Sequence, residues 1–391
     1  MTDELILNFD LGFVGDDLEL WGEGLHLIIR DGVIEGISRG KASGDNVINF
    51  SNTLVMPPLA NLHTHILDYV YPEIGWDLDI DSLVGEPYSV KYLMLSRTSR
   101  DTVKEVINRF LRHSWGYGVG VIVEFREGGL TNTLLDYGLR PKTHLVFGMP
   151  VGGDMINEVR IMSRYVDGVG ISSPLYFSYE VLKDLGSVVS GLGLQIHTHI
   201  SEVEETYVEG DLNHLIKCLR PNAVVHGVFL RRPELELLKE LGIPLILCLR
   251  SNQWFVGRLP DLKLIYEVGL EVGLGTDNAS WVKGDLWRDL DLLTSLLRVR
   301  GVLNPKWVLR VATNSSVVGI DTKLREGSKL NILVLNIENT SIKYARDKYL
   351  AVVKRGGPEG VEVLITDGVI RYCSDRYEAV CDNLRNFLSR R

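Results

Sequence analysis

Glutamine is almost missing from this 391-residue chain: only Gln195 and Gln253 occur, while Lys, Arg and Glu are plentiful. That bias leans towards a thermophilic source, where charged residues displace thermolabile amides. Cysteine is sparse as well. Cys218, Cys248, Cys373 and Cys381 are scattered without a Cys-x-x-Cys spacing. In a chain of this size that argues against a disulfide framework and for a reduced cytoplasm. No run approaches the ~18 apolar residues a membrane span needs. The opening MTDELILNFD has neither a basic n-region nor a long apolar core, so no signal peptide and no membrane partner are expected. Positive charge is also short, at a formal net charge of −9. The pairs Arg231-Arg232 and Arg390-Arg391 read as solvated surface, and a nucleic-acid partner is not expected without clustered basic residues.

What is present is the composition of a soluble globular protein, 45% hydrophobic and 24% charged. The length suffices for a large core plus a smaller module. From about residue 55, short apolar runs alternate with longer amphipathic stretches. The runs are TLVMPPLANLH, GVGVIVEF, THLVFGM, VDGVGIS, GLQIHTH, NAVVHG, IPLILCL and LEVGLGTD. They are rich in Val, Ile and Leu without clean alternation, as strands buried on both faces should be. Between them lie patterns such as DTVKEVINRFLRHSWGYG and RPELELLKELG, the second ending on Gly242 as a C-cap would. Eight such units over residues 55–319 predict an α/β fold, a (β/α)₈ TIM barrel of roughly 250 residues. An open doubly wound sheet would need an early Gly-rich phosphate turn, and none occurs. The flanks differ. LHLIIRDGVIEGIS and VEVLITDGVIRYC each place two apolar runs around Asp-Gly, a hairpin signal. Residues 1–54 and 320–391 are therefore expected to form a composite β-sandwich, with 376–391 as a closing helix.

Catalytic residues of a barrel sit at the C-terminal ends of its strands. Strand one ends in His63 and His65, two apart and so on one face. Strand five ends in His197 and His199 with Glu202 beyond, strand six in His226 and strand eight in Asp277. A single histidine at a strand end is ordinarily a satisfied polar residue, and Asp in GTDN a turn former. Imidazoles at three strand ends plus a carboxylate on one rim are hard to assign to coincidence. Three imidazoles and a carboxylate with an open position are what a catalytic Zn²⁺ or Fe²⁺ site requires.

In their order, VMPPLANLHTH, HISE, VVHGVFL, LRSNQWF and VGLGTDNAS resemble the motifs of the amidohydrolase superfamily, nearest its cytosine deaminase, chlorohydrolase and adenosine-type deaminase branch. The resemblance covers nearly the whole chain. It implies one divalent metal, zinc before iron, held by His63, His65, His199 and Asp277. It implies Glu202 as the acid/base serving a ring nitrogen, and His226 as the group that contacts the attacking water or the substrate. Asp277 would both ligate and accept a proton. The implied reaction is attack by metal-activated hydroxide on an amidine-like ring carbon, with release of ammonia. Strand four ends in GVGISSP, with no lysine at Ile171, Ser172 or Ser173, so the bridging carboxylated lysine of binuclear relatives is missing and one metal is expected.

For the substrate, the loop after strand one offers Glu86, Tyr88 and Lys91, and strand two ends in EFREGG with Glu124, Arg126 and Glu127. Arg250 and Asn252 follow strand seven, and Trp254 and Trp281 could stack on a planar ring. Arg126, Asn252 and His226 are the expected substrate contacts. His197, about 6.6 Å deeper than His199 along the strand, is expected to pack or hydrogen-bond beneath the metal. Glu204 and Glu205 fall on the solvated side of the next helix. The expected function is a metal-dependent aminohydrolase acting on a small nitrogen heterocycle, with a homodimer compatible. Hydrolysis of a cyclic amide or a ring C–X bond is the alternative within enzymes, and a non-catalytic scaffold the alternative outside them.

Overall fold

The computed structural model describes residues 4–44, 46–86, 88–151 and 153–388. Eight strands form its centre: Leu59–His65, Val119–Arg126, His144–Gly148, Gly168–Ile171, Gln195–Ile200, Ala223–His226, Leu245–Leu247 and Val272–Leu274. They pair in parallel in chain order, and Leu274 closes the ring by pairing with Asn61. Asp277–Asn278 then runs on beside Thr64 and His65. The predicted barrel is present. Its strands are apolar on both faces because each face is covered. On strand two, Val121, Val123 and Phe125 fill the barrel interior with Ala223, Val225 and Ile246. Ile122 points the other way, into the layer beneath the helices.

The first apolar run divides in two. Thr53–Met56 belongs to a different sheet from Leu59–His65, and Pro57-Pro58 between them supplies no backbone N–H to continue a ladder. Two sheets flank the barrel. One has the order Val33–Arg39, Leu25–Arg30, Leu5–Phe9, Val47–Asn49, and lies entirely in the N-terminal segment. The other joins both ends of the chain, in the order Val369–Cys373, Val361–Thr366, Ile332–Asn336, Thr53–Met56, Leu11–Val14, Glu19–Trp21. Phe9, Leu27, Val55, Val334 and Ile365 are among the residues buried together between the two sheets. Both Asp-Gly pairs form the tight turns their sequence signals. Asp31 and Gly32 have φ of 51° and 70°, and Asp367 and Gly368 have 51° and 71°, the left-handed geometry of a type I′ hairpin.

Not all of 320–391 joins these sheets. Helix Lys348–Arg355 packs on the barrel helices Leu286–Val299 and Pro305–Ala312. The closing helix is Glu378–Leu388; the Arg390-Arg391 pair lies outside the described residues. Arg231 and Arg232 are exposed. The cysteine spacing argued against a disulfide framework, yet Cys373 and Cys381 form one disulfide, which ties an edge strand to the closing helix. The closing helix packs back on the strand that precedes it and so brings the two sulfurs together, which sequence positions do not reveal. Cys218 and Cys248 are free. Among the described residues no helix is long and apolar enough to cross a membrane.

Candidate active site

Strand one reaches the site through an irregularity. Asn61 pairs with Ile122 but Thr64 with Glu124, three steps against two. An extra residue of this kind reverses which face the following side chains take. Ala60 and Leu62 point into the barrel interior, and after the slip His63 and His65 take the inward places. There the His63 ring meets Phe125 edge-on at 4.5 Å. Gly275 makes the room, since a Cβ at that position would lie 2.8 Å from the His63 Cβ. Strand five needs no such device. Ile196 and Ile200 pack outward and His197 and His199 face in.

His226 and Asp277 arrive by strained backbone. Their φ values are 73° and 63°, a left-handed conformation that costs about 1–2 kcal/mol in a residue with a Cβ. Alternation sends Ala223 and Val225 inward, so a regular strand would face His226 outward. The positive φ brings its ring back over the site, 5.0 Å from the His199 ring and 5.7 Å from that of His63.

The polar atoms then converge. His63 Nε2 lies 3.2 Å from Asp277 Oδ1 and 3.2 Å from His199 Nε2. His65 Nε2 lies 3.4 Å from the same carboxylate oxygen. The far side of each ring decides its tautomer. His65 Nδ1 donates to the Glu127 carboxylate, and His199 Nδ1 donates to the Ser172 carbonyl at 3.2 Å. A neutral ring with its proton on Nδ1 presents a bare Nε2 lone pair, so both rings turn lone pairs inward. His226 is the reverse case. Asn252 Nδ2 donates to its Nδ1 at 2.9 Å, which leaves the proton on Nε2, 3.5 Å from Glu202 Oε2. Ser251 Oγ donates to Asp277 Oδ2, and Oδ1 remains towards the imidazoles.

Electrostatics separates the rings: against burial and the Lys91 charge, Glu127 and Asp277 raise the His65 imidazole above the usual histidine value, while the other three go down. Burial drives the His63 imidazole down to about 3 despite its hydrogen bond with Asp277, and holds His199 well below the usual histidine range, with His63 adding to the effect. Burial likewise takes His226 to about 4. These rings are neutral at ordinary pH and able to act as ligands or donors. Burial favours a neutral Asp277, but the His63 hydrogen bond and the surrounding imidazoles hold its carboxyl well below the usual range. Glu202 goes the other way. Burial, followed by the charge on Asp277, pushes it up to about 8, so it carries a proton at neutral pH. His63, His65 and His199 can together offer ligand atoms within 4.8 Å of one another. With Asp277 they form a set of acceptors that suits a divalent cation. His226 also lies within such reach of His63 and Asp277, but its Nε2 proton makes it a donor.

Several sequence-picked residues sit elsewhere. Arg126, expected to contact substrate, points away from the cavity. Its guanidinium is engaged by Glu124 and by the Asn132 carbonyl at 3.2 Å, while Glu124 also holds His144 at 2.9 Å. The reason is alternation: Val121, Val123 and Phe125 face in, so Arg126 faces out and Glu127 in. Asn252, the other expected contact, is fully buried and serves His226. Arg250 is tied to Asp289, and Trp254 and Trp281 stack on each other at 4.8 Å. Tyr88 is exposed. Glu86 and Lys91 do line the cavity, with His65, His199, Glu202, His226 and Asp277. His197 packs on Phe147 at 4.4 Å, and neither of its ring nitrogens has a hydrogen-bond partner among the described residues. Glu204 and Glu205 are exposed in helix Glu204–Glu209. Sequence reasoning missed Asp68 and Ser251, for which no spacing rule exists, and gave no role to Glu127, which alternation would have turned inward.

A model of the "Amidohydrolase family" matches residues 54–369. A putative aminohydrolase of Methanothermobacter thermautotrophicus is 26% identical, over 90% of this chain and 95% of its own length. A 5-methylthioadenosine/S-adenosylhomocysteine deaminase of Thermococcus onnurineus is 23% identical, over 90% of this chain and 91% of its own. Among solved structures, a zinc-bound adenosine deaminase from Xanthomonas campestris superposes with a TM-score of 0.82 at 13% identity, covering 99% of this chain and 98% of that one. At that identity the likeness is one of fold.

Proposed function

Because the chain belongs to the amidohydrolase family, we propose that it is a metal-dependent aminohydrolase that removes an exocyclic amine from a small nitrogen heterocycle as ammonia. The observation that carries the reading is the division of tautomers. His65 and His199 present lone pairs beside His63 and Asp277, whereas His226 presents a proton beside Glu202. His63, His65, His199 and Asp277 are the residues that would hold the ion, with zinc preferred for a set of three imidazoles and one carboxylate. When bound, such an ion supplies Lewis acidity and a water acidified to about pKa 7.

The chain's own residues do the remainder. Glu202, protonated near neutrality, is placed to deliver its proton to the ring nitrogen that gains charge as water adds to the neighbouring carbon. As a carboxylate it then takes a proton from the added water and passes it to the departing amine, so that water enters and ammonia leaves. His226 Nε2–H, beside Glu202, orients the oxygen and is held by Asn252. Asp277 Oδ1 accepts a proton, while Ser251 fixes the other oxygen of that carboxylate. Glu86, Tyr92 and Tyr176 line both this cavity and an adjoining one walled by Leu95, Val103, Val151 and Met155, which favours substrates that carry an apolar substituent.

A cytoplasmic thermophile protein accommodates the Cys373–Cys381 disulfide, because intracellular hyperthermophile proteins retain such bonds. A panel of aminated purines, pyrimidines and nucleosides, assayed for ammonia with the metal content measured in parallel, tests the function. Ammonia release from a metal-loaded protein is expected. Ring opening or halide release without ammonia would overturn the deaminase reading, and a preparation made without chelator that carries no zinc or iron would overturn the metal.

A further inference from the structure

The loop after strand one and the end of strand two meet behind His65. Lys91 is buried there, with its ammonium 2.5 Å from Glu127 Oε1, 3.1 Å from Asp68 Oδ1 and 3.4 Å from His65 Nδ1. Glu127 is fully buried and accepts from His65 Nδ1. One cation is thus enclosed by two carboxylates and one imidazole. Lys91 cannot be the acceptor for the His65 proton, because an ammonium only donates. Glu127 alone satisfies that nitrogen, and Lys91 with Asp68 fixes where Glu127 stands. His65, Asp68 and Glu127 would by themselves make a group able to hold a cation; the Lys91 ammonium is the cation that the chain provides.

We propose that Glu127, clamped by the Lys91–Asp68 ion pair, is the positioning residue that fixes the His65 tautomer and aims its Nε2 at the metal. This rests on His65 being a ligand, as proposed above. A carboxylate on the far nitrogen of a ligating imidazole sets ring orientation and raises ligand basicity, and its loss generally costs about 10–100-fold in metal affinity. The brace comes from this chain's own EFREGG and VKYL segments, so a requirement for Glu127 and Lys91 is written outside the strand-end histidines, just after strand two and at the start of helix Val90–Arg97.

Zinc is the probe, titrated by chelator competition into the full-length metal-free protein, with histidine ¹⁵N shifts reporting the tautomer. The unmutated protein should show His65 protonated on Nδ1; protonation on Nε2 overturns the proposal without any variant. In Glu127→Leu with Lys91→Met the ammonium and one of its two carboxylates are replaced together by apolar groups, and Asp68, which loses its cation, can take up a proton because burial already raises its carboxyl to about 6. Zinc should bind about 10–100-fold more weakly, with the His65 tautomer mixed. Glu127→Gln, which keeps an acceptor oxygen, should stay within a few-fold of the parent. A double variant that binds zinc as the parent does overturns the proposal. His65→Ala separates the two readings. Undiminished zinc binding in that variant removes His65 from the ligand set, whereas loss in His65→Ala but not in the double variant removes only the brace.

Discussion

Asn252 Nδ2 donates to His226 Nδ1 at 2.9 Å, and this one hydrogen bond decides which ring nitrogen of His226 carries the proton that faces Glu202. Asn252→Leu is therefore expected to leave zinc bound while lowering kcat by about 10–100-fold, the scale of a misdirected catalytic group. Metal analysis and steady-state kinetics on the same preparation check it. Loss of zinc in this variant would mean that His226 is a ligand.

His199 and Glu202 are three residues apart, and their substitution should have opposite consequences. His199→Ala should lose the metal. Glu202→Gln should keep it and lose turnover by at least about 100-fold, the contribution of a positioned acid/base. Retained metal in His199→Ala would sink the ligand assignment.

Glu202 also sets a pH limb. Burial raises its carboxyl to about 8, and the proton-donating form is the protonated one. Activity should hold below that value and fall as pH rises through it. A kcat profile with no alkaline limb near 8 would deprive Glu202 of the acid role.

Buried neutral imidazoles make the metal-free protein acid-sensitive. Burial takes both His63 and His197 down to about 3, below the usual 6.5 of an unfolded chain. A depressed histidine stabilises the fold above the unfolded value, and that contribution is lost as pH falls from about 6.5 towards 3. Each such ring adds about 1.4 kcal/mol per pH unit to the slope. His197→Phe should remove one ring's share, read by denaturant unfolding at pH 4 to 7; an unchanged slope would show that His197 is not held neutral.

The Cys373–Cys381 bond closes a short loop of sequence separation 8, and cross-links of that span contribute about 2–3 kcal/mol. Thiol reductant should lower the melting temperature, and alkylation of the denatured chain without reductant should label Cys218 and Cys248 only, the buried Cys248 becoming accessible on unfolding. Labelling at all four cysteines would contradict the bond.

Much of the site was legible because barrels place chemistry at strand ends. The predicted ligands His63, His65, His199 and Asp277 do converge, as do Glu202 and His226. Arg126 shows where reading by residue type fails. Arg126 at a strand end was expected to contact substrate, but period-two alternation turns it outward to Glu124 and turns Glu127 in to His65. Asn252 and Arg250 were placed correctly after strand seven, yet what they touch, His226 at the end of strand six and Asp289 in helix Leu286–Val299, lies far away in sequence.

Order and spacing along the chain determined the barrel, the hairpins at Asp31-Gly32 and Asp367-Gly368, and which residue types gather at the rim. Local geometry is enough for these, since strand period, turn chemistry and connection length act over a few residues. Only the tertiary structure decided which nitrogen of each histidine faces inward, that His226 and Asp277 adopt a left-handed backbone, that Lys91 and Asp68 clamp Glu127, and that Cys373 meets Cys381. Each of those outcomes depends on atoms brought together from distant segments or on strain that packing maintains, and neither is encoded in any single stretch of sequence.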